Sequence, residues 1–365
     1  KSKNISYTSN QFDLKDSNIF IITVPTPVDE ANKPDLNLLK NACLLVGNYL
    51  RKDNIVIFES TVYPGSTREV CIPILEDISK LKLNKDFGVG YSPERINPGD
   101  KKHTIENVVK IISGSDIETL NRVEQIYKKI IPAGTFKTSS IEIAEAAKVI
   151  ENTQRDLNIA LMNELSIIFN KLNLSMNEIL EAASTKWNFL NFKPGLVGGH
   201  CIGVDPYYLT YKSMEIGYKP ELILASRKIN DYMSSYVVNE FVKLAFKRKV
   251  FDYSKRILVM GITFKENCPD TRNSKSLEIV NQLLEYGLEI DIYDPVASFN
   301  SNEIYKKVNN LSKLENNSYA GILITVAHKE FSFFNINKLR SLCIKNSIIF
   351  DVKNIFPSNN TDLHL

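Results

Sequence analysis

The sequence is poor in the features that mark several broad classes of protein. One of its 365 residues is tryptophan and four are histidine, and 45 basic residues against 42 acidic ones leave a net charge of +3. So small a charge gives no support to a nucleic-acid-binding function, which depends on a strongly basic surface. No hydrophobic run is long enough to cross a bilayer, so we expect neither nucleic acid nor membrane as a partner.

Cysteine is also scarce, and its placement is uninformative about metals. The five cysteines are scattered along the chain: Cys43, Cys71, Cys201, Cys268 and Cys343. Their odd number and irregular spacing predict reduced thiols in a cytoplasmic protein, with no disulfide framework and no metal site. No signal peptide is visible, although the chain does not begin with Met.

What is present predicts an ordinary globular protein of two or three domains. Strand patterns alternate with helix patterns over 17–91 and again over 256–352. This alternation predicts an α/β fold with two Rossmann-like, doubly wound parallel sheets. Between them lies a helical region whose longest helical pattern covers 139–173. The predicted domains are an α/β domain over 1–138, a central helical domain over 139–247 and a second α/β domain over 248–365.

The first predicted sheet lacks one expected feature, a glycine-rich dinucleotide fingerprint. Its first strand is predicted at 17–25, as a buried apolar run that ends in a proline turn. A sheet that begins there leaves an apolar edge uncovered. We therefore expect a further segment, with the fingerprint, before residue 1.

Glycines crowd around one cysteine in the middle of the chain. Residues 192–206 read FKPGLVGGHCIGVDP. Glycine allows close backbone approach to a ligand and disfavours helix and strand, so this stretch predicts an ordered loop that presents Cys201, with Asp205 shortly after it. A thiol there can act as a nucleophile if cations or N–H groups favour the thiolate. The alternative is that Cys201 is a small buried hydrophobic residue.

Polar turns follow the first three predicted strands. They read VPTP, ESTVYPG and SPER. Ligands of open α/β sheets bind at the carboxyl ends of the strands, so Thr26, Ser60 and Thr61 are candidates to hydrogen-bond a cofactor or substrate. Glu94 is a candidate acid or base. The alternatives are ordinary turn chemistry and a solvated carboxylate.

Two pairs of residues contain cations that are candidates to act in a ligand-binding or catalytic site. Lys148 and Asn152 are one turn apart on the long predicted helix, so they share a face. A lysine on so apolar a helix either reaches the surface or serves a site, and beside Cys201 it would lower the thiol pKa. Lys265 and Arg272 flank the loop after a strand of the second sheet, where two cations suit a pyrophosphate or remain solvated.

In this order the motifs resemble those of the UDP-glucose/GDP-mannose dehydrogenase family. The stretch FKPGLVGGHCIGVDPYYLT is most similar to the UDP-N-acetylhexosamine (UDP-GlcNAc or UDP-GalNAc) 6-dehydrogenases of bacterial surface-polysaccharide synthesis. The motifs that carry the resemblance are VPTP at 24–27, ESTVYPGST at 59–67, SPERINPGD at 92–100, EAAKVIENT at 145–153, GGHCIGVDP at 198–206 and GITFKENCPDTR at 261–272.

The resemblance implies an NAD-dependent, four-electron oxidation of the C6 hydroxyl of a UDP-sugar to a uronic acid. Cys201 would add to the intermediate aldehyde as a thiohemiacetal, and a second hydride transfer would leave a thioester for water to hydrolyse. The implied roles are nucleophile for Cys201, oxyanion stabilisation for Lys148, proton transfer for Asp205 and Thr61, hydrolytic base for Glu94 and substrate positioning for Asn152.

The resemblance also implies ligand contacts and an assembly, a homodimer or dimer-based oligomer paired through the long helix. It makes 1–138 the NAD-binding domain and 248–365 the nucleotide-sugar-binding domain. NAD would be contacted by Val24, Pro25, Thr26, Ser60, Thr61 and Arg272. The UDP-sugar would be contacted by Glu94, Arg95, Lys148, Asn152, Phe192, Lys193, Pro194, Gly195, Gly198 and Lys265.

Two departures from the family pattern bear on the substrate. UDP-glucose enzymes commonly carry a second glutamate where this chain has Pro98, and an arginine from the neighbouring subunit where the nearest residue is Lys186. Both favour a substrate other than UDP-glucose. The alternatives are a UDP-glucose or UDP-N-acetylmannosamine 6-dehydrogenase, a two-electron dehydrogenase of the 6-phosphogluconate type that needs no Cys201, and a non-catalytic nucleotide-sugar-binding protein.

Overall fold

The computed structural model describes residues 5–97, 100, 102–250, 256–299 and 303–365, and Pro98 lies outside them. The chain divides into two compact units. Unit 1 comprises residues 1–153 with 204–220, and unit 2 comprises residues 154–203 with 221–365.

The strands form one sheet in each unit. Their bounds are β1 Ile19–Ile22, β2 Ile55–Phe58, β3 Gly88–Tyr91, β4 Lys110–Gly114, β5 Thr135–Lys137, β6 Arg256–Met260, β7 Ile290–Tyr293, β8 Asn309–Asn310, β9 Tyr319–Ile324, β10 Cys343–Asp351 and β11 Leu363–His364. The helices are α1 Asn37–Gly47, α2 Ile72–Ser79, α3 Ile117–Lys128, α4 Ile141–Lys171, α5 Met176–Ser184, α6 Asp205–Glu215, α7 Glu221–Arg248, α8 Lys275–Glu285 and α9 Ile336–Leu342.

Among the described residues of unit 1, the sheet has the order β1-β2-β3-β4-β5. Its first three strands are parallel, as predicted, so their carboxyl ends lie at one edge together with the three polar turns. The β3–β4 pair is antiparallel and β4–β5 is parallel again. The sheet is therefore a mostly parallel, Rossmann-like one.

The helix α1 illustrates why this unit folds as the pattern predicts. Leu39, Cys43 and Val46 recur at helical spacing and are buried against the sheet. The carboxylate of Asp35 accepts a hydrogen bond from the N–H of Asn37 at 2.9 Å and so satisfies a donor of the first turn.

The prediction of a fully buried strand at 17–25 is wrong in extent and burial. Only Ile19–Ile22 form β1, and their side chains alternate between buried and exposed. Phe20 and Ile22 lie in the core, whereas Ile19 and Ile21 are 41% and 47% exposed. β1 is an edge strand of the described sheet, and one of its two faces is exposed.

Four elements of unit 1 went unpredicted: β4, α3, β5 and α6. The signals for two of the helices were local. Asp116 caps α3 by accepting from the N–H of Thr119 at 2.7 Å, and Pro206 stands in the first turn of α6 directly after Asp205.

Unit 2 contains an all-parallel sheet in the order β11-β10-β9-β6-β7-β8. Helices α7 and α8 contribute to the core on one face, and α9 contributes to a separate core cluster on the other. The fold class, two Rossmann-like parallel-sheet domains with helices between them in sequence, is thus confirmed. Among the described residues no helix has both the length and the apolar character that a membrane span requires.

Candidate active site

The turns after β1 and β2 are locked together by two reciprocal hydrogen bonds. The Ser60 hydroxyl donates to the carbonyl oxygen of Val24 at 2.6 Å, and the Thr26 hydroxyl donates to the carbonyl oxygen of Thr61 at 2.6 Å. Pro25 lies exposed between them. The two hydroxyl protons are therefore engaged within the protein, and the hydroxyl oxygens remain acceptors toward a ligand.

A buried carboxylate that the sequence analysis did not single out holds the second turn in place. Glu145, on α4, accepts hydrogen bonds from the backbone N–H groups of Gly65 at 2.6 Å and Thr67 at 2.9 Å. Gly65 has φ +97°, a left-handed conformation that favours glycine. Burial raises the pKa of Glu145 to about 7, against the effect of these hydrogen bonds.

The turn after β3 carries Glu94 at the surface. Its carboxylate accepts a short hydrogen bond from the N–H of Ile96. The neighbouring Arg95 is anchored, since its guanidinium contacts the carboxylate of Glu151 at 2.6 Å and donates to the carbonyl of Val109 at 2.9 Å. Arg95 therefore fixes the turn, whatever it contributes to substrate binding.

Lys110, on β4, supports the same turn, and the sequence analysis did not identify it as a site residue. Its buried ammonium donates to the carbonyl of Pro93 at 3.2 Å and lies 3.2 Å from the carboxylate of Glu59. The Tyr127 hydroxyl donates a short hydrogen bond to the same carboxylate. This buried cluster joins β4 to the ends of β2 and β3, and thereby positions the turn that bears Glu94.

Several titratable groups of unit 1 interact around the buried carboxylate of Asp205. This residue is 3% exposed, and Asn152 donates a 2.6 Å hydrogen bond to its carboxylate. Burial raises the pKa of Asp205 to about 6; the charge of Lys148 opposes the shift, and those of Glu94 and Glu151 add to it. Lys148 is itself 5% exposed, so it does not reach the surface. The prediction that Lys148 and Asn152 share a helix face is confirmed.

In unit 2, Cys201 is exposed, so the alternative of a buried core cysteine is wrong. The glycines before it are required by close contact with the 264–273 segment. A Cβ on Gly198 would lie 2.6 Å from the carbonyl oxygen of Asn273, and one on Gly199, at φ +84°, would lie 2.6 Å from the Phe264 ring. The N–H of Gly199 donates to the same Asn273 carbonyl at 3.1 Å. The absence of side chains at Gly198 and Gly199 thus allows the loop to pack directly against the 264–273 segment.

The two cations predicted at the edge of the second sheet have different surroundings. Arg272 is paired with Asp270, to which its Nε and Nη2 donate at 3.0 Å and 2.6 Å. Arg272 also holds the pKa of Asp270 down at about 2. The ammonium of Lys265 lies 5.9 Å from the centroid of the Phe264 ring. A pyrophosphate cradle formed by both cations would therefore have Asp270 as a competitor for Arg272.

The beginning of the glycine loop lies beside a cation that the sequence analysis overlooked. A Cβ on Gly195 would lie 3.2 Å from the ammonium nitrogen of Lys353. Burial and the charge of Lys193 lower the pKa of Lys353. Pro194 is buried, and the Phe192 side chain packs with the core cluster around Met162. Phe192 is only partly buried there.

The predicted catalytic residues divide between the units. Thr61, Glu94, Lys148, Asn152 and Asp205 belong to unit 1, and Cys201 belongs to unit 2. Within unit 1 the structure brings Asn152 and Lys148 to Asp205. The predicted meeting of these groups with Cys201 remains a prediction.

Polar turns at the carboxyl edge of one Rossmann-like sheet, and a second such sheet in the same chain, are typical of the two-sheet class of NAD-dependent dehydrogenases. Consecutive segments match the domains of one such family: residues 1–131 its NAD binding domain, 142–232 its central domain and 258–358 its UDP binding domain. The chain belongs to the UDP-glucose/GDP-mannose dehydrogenase family.

Individual relatives agree with this assignment. The chain is 50% identical over 365 residues to the UDP-N-acetyl-D-glucosamine 6-dehydrogenase of Pseudomonas aeruginosa, covering 100% of this chain and 86% of that protein. It is 50% identical over 363 residues to Protein CapL of Staphylococcus aureus, covering 100% and 85%. Among solved structures, the UDP-D-ManNAc dehydrogenase of Pyrococcus horikoshii matches with a TM-score of 0.84 and 31% identity, covering 96% of this chain and 81% of that one.

Proposed function

We propose that the protein oxidises the C6 hydroxyl of a UDP-N-acetylhexosamine to the uronic acid, with NAD as oxidant and Cys201 as covalent nucleophile. The observation that carries the proposal is the buried Asp205, whose pKa of about 6, hydrogen bond from Asn152 and interaction with the charge of Lys148 suit proton transfer near neutral pH. The substrate class rests on the 50% identity to a UDP-N-acetyl-D-glucosamine 6-dehydrogenase.

The residues that would hold NAD suit it chemically. The interlocked turns present carbonyl and hydroxyl oxygens at the carboxyl ends of β1 and β2, where a dinucleotide binds in such sheets. We assign the cofactor contacts to Val24, Pro25, Thr26, Ser60 and Thr61, with Arg272 contributing through N–H groups that Asp270 leaves available. NAD, when bound, accepts one hydride in each of two oxidations.

In the first oxidation, the proton of the C6 hydroxyl passes to Asp205, directly or through the Thr61 hydroxyl. The C6–H bond breaks as hydride leaves, and an aldehyde results. Lys148 stabilises the negative charge that develops on the oxygen, and Asn152 holds the sugar. Asp205 is suited to accept this proton because, with a pKa of about 6, its carboxyl group is ionised in most molecules at pH 7.

In the second oxidation, the Cys201 sulfur bonds to the aldehyde carbon, and the oxygen takes up a proton to give a thiohemiacetal. Loss of the remaining C6 hydride and of the hydroxyl proton leaves a thioester. Glu94 then removes a proton from water, the water oxygen bonds to the acyl carbon, and the C–S bond breaks with the thiolate as leaving group. One substrate and one water thus yield one uronate, two transferred hydrides and three protons.

The nucleotide-sugar contacts other than Lys148 and Asn152 are assigned to unit 2 and to the turn after β3. Lys265, Lys193 and Lys353 supply positive charge suited to a diphosphate. The backbone of 192–198 and the turn with Glu94 and Arg95 complete the proposed set. We keep the division 1–138, 139–247 and 248–365 as the proposed domain boundaries.

A second substrate candidate is UDP-N-acetylmannosamine. The observation in its favour is the likeness, over 96% of this chain, to the UDP-D-ManNAc dehydrogenase of Pyrococcus horikoshii. The lower identity of 31%, against 50% for the UDP-N-acetyl-D-glucosamine enzyme, makes it the second choice.

We also propose a homodimer, or an oligomer built from dimers, paired through α4. Ile143 and Ile150 are seven residues apart, share a helix face and are 49% and 56% exposed. Leu161 and Ile168 repeat this spacing farther along the helix and are 49% and 44% exposed. Exposed aliphatic residues at this spacing on one helix are typical of an interface with another chain.

The test is the stoichiometry of NADH formed by the purified protein with UDP-GlcNAc, UDP-GalNAc, UDP-ManNAc and UDP-glucose. The expected result is two NADH per UDP-N-acetylhexosamine consumed. In Cys201→Ala the substrate should still bind, but uronate formation should fall by several orders of magnitude. The matched control is Cys343→Ala, a buried thiol in the core of unit 2, which should lower the melting temperature and leave turnover per folded molecule nearly unchanged.

Two outcomes contradict the proposal. Uronate production by Cys201→Ala at close to the rate of the unmodified protein would exclude the covalent route. One NADH per substrate, with aldehyde accumulating, would identify a two-electron dehydrogenase.

A further inference from the structure

A chain of buried polar side chains in unit 2 ends on the backbone of the glycine loop. Asp156 and Asn163 lie on α4, and Arg227 and Asn230 lie on α7; the four residues are 0–3% exposed. Buried polar groups of this kind require partners, and here each one's partner is the next member of the chain.

The last link contacts Gly195 at two points. The side-chain oxygen of Asn163 accepts from the N–H of Gly195 at 2.8 Å, and its amide nitrogen donates to the Gly195 carbonyl at 3.0 Å. The second N–H of the same amide donates to the side-chain oxygen of Asn230 at 2.8 Å. Asn163 thus binds one residue of the loop as a neighbouring strand would.

The orientation of the Asn163 amide is set from the far end of the chain. An ionised Asp156 can only accept, so Asn230 must present its amide nitrogen to it, at 2.7 Å. The side-chain oxygen of Asn230 therefore faces Asn163 as an acceptor, and the amide nitrogen of Asn163 must be the donor. The guanidinium of Arg227 donates to Asp156 at 2.5 Å and favours the ionised carboxylate, whereas burial raises the pKa of Asp156.

Gly195, the residue that Asn163 binds, lies where a small movement of the loop would change its contact with a cation. The ammonium of Lys353 lies 3.2 Å from the position of a Cβ on Gly195, so a displacement of this peptide alters the space beside that cation. A loop held in advance also loses less conformational entropy when a ligand orders it.

We propose that Asn163 is a positioning residue for the nucleotide sugar: its amide, oriented through Asn230 by Asp156, holds the Gly195 peptide in the conformation that binds the substrate. This deepens the proposed function and rests on it. All the proposed cofactor contacts except Arg272 are assigned to unit 1, and Asn163 bonds to neither Arg272 nor Asp270, so we expect the effect of Asn163 to fall mainly on the sugar substrate.

The test compares Asn163→Ala, Asn163→Asp and the control Asn158→Ala in substrate kinetics and in calorimetric binding of the UDP-sugar. Asn158 is on the same helix, and its side-chain amide donates to the carbonyl of Gln154 within that helix, at 2.7 Å. In Asn163→Ala the KM and Kd for the UDP-sugar should rise about 10- to 100-fold, as two hydrogen bonds to a buried peptide are lost. The KM for NAD should change less than about twofold. If Asn163 only stabilised the fold, the KM values for the UDP-sugar and for NAD would both change or both stay the same.

Asn163→Asp is the second variant. An ionised carboxylate would face the carbonyl oxygens of Gly195 and Asn230, so at pH 8 its Kd for the UDP-sugar should exceed that of Asn163→Ala. At pH 5.5 the introduced carboxyl group, once protonated, can both accept and donate, and the order of the two Kd values should reverse. Asp156, Arg227 and Lys353 are common to both variants, so their charges cancel from this comparison.

The outcomes separate the two proposals. Equal UDP-sugar Kd values for the unmodified protein, Asn163→Ala and Asn163→Asp overturn this inference and leave the proposed function standing. A rise in the Kd alone, in a protein that binds the UDP-sugar without oxidising it, supports the inference and overturns the proposed reaction. An unmodified protein that binds no UDP-sugar overturns both.

Discussion

Replacing Glu145 by glutamine isolates the buried carboxylate that holds the turn of Ser60 and Thr61. Each carboxylate oxygen accepts one backbone N–H, from Gly65 and from Thr67. Glutamine keeps one acceptor and turns an NH₂ group toward the other donor. The substitution also removes a group that titrates near neutral pH, and this second effect can be measured separately through its pH dependence.

The magnitude follows from the pKa of Glu145, which is raised from the ordinary value of 4.5 to about 7 in the folded protein. A carboxyl group whose pKa rises on folding contributes stability that is fully present below its unfolded pKa and is lost as the pH rises through its folded pKa. Between pH 5 and pH 8, the free energy of unfolding should therefore fall by about 2–3 kcal/mol more in the unmodified protein than in Glu145→Gln.

The assay is urea-induced unfolding of both proteins at several pH values between 5 and 8. The difference between the two proteins cancels other carboxyl groups with raised pKa values, such as Asp205 and Asp351. The control is Glu164→Gln, which makes the same chemical change at an exposed position on the same helix. A Glu145→Gln difference that stays constant within about 0.5 kcal/mol over this range would refute the reasoning.

The remaining predictions concern the proposed base and the proposed interface. Asp205→Asn should reduce kcat/KM at least about 100-fold and abolish its decline below about pH 6, where protonation of Asp205 removes the base; an unchanged acid limb in the pH profile would assign it to another group. Ile150→Lys combined with Leu161→Lys should convert the dimer into monomers in sedimentation velocity, because each change places a charge on the exposed apolar face of α4. Lys171→Glu, an exposed charge change on the same helix, is the control, and a dimer that survives the double change would move the interface elsewhere.

Local rules were enough for much of the fold. Helix α5 follows such rules, because Ser175 caps it by accepting from the N–H of Glu178 and the apolar residues recur at helical spacing. The alternation of strand and helix patterns was likewise sufficient for the two parallel sheets. Motif spacing also identified the family, since the motifs occur in one order along the whole chain.

The antiparallel β3–β4 pair shows where local rules stop. Its register is held by side chains that bond across to the neighbouring strand, such as the hydroxyl of Ser113 to the carbonyl of Tyr91 at 2.8 Å. Nothing in the residues of β4 specifies the direction of its partner. That choice depends on which strand edge is available when the chain returns to the sheet.

The sequence by itself determined which residues carry hydroxyl, carboxylate, amine and thiol groups at the ends of strands and in the glycine loop. The tertiary structure alone decided which of these are buried and what they contact. Glu145 and Gly65 are 80 residues apart in the chain, and Asn163 and Gly195 are 32 apart. A polar side chain is stable in the core only where a distant segment offers a matching donor or acceptor, and that match exists only after the chain has folded.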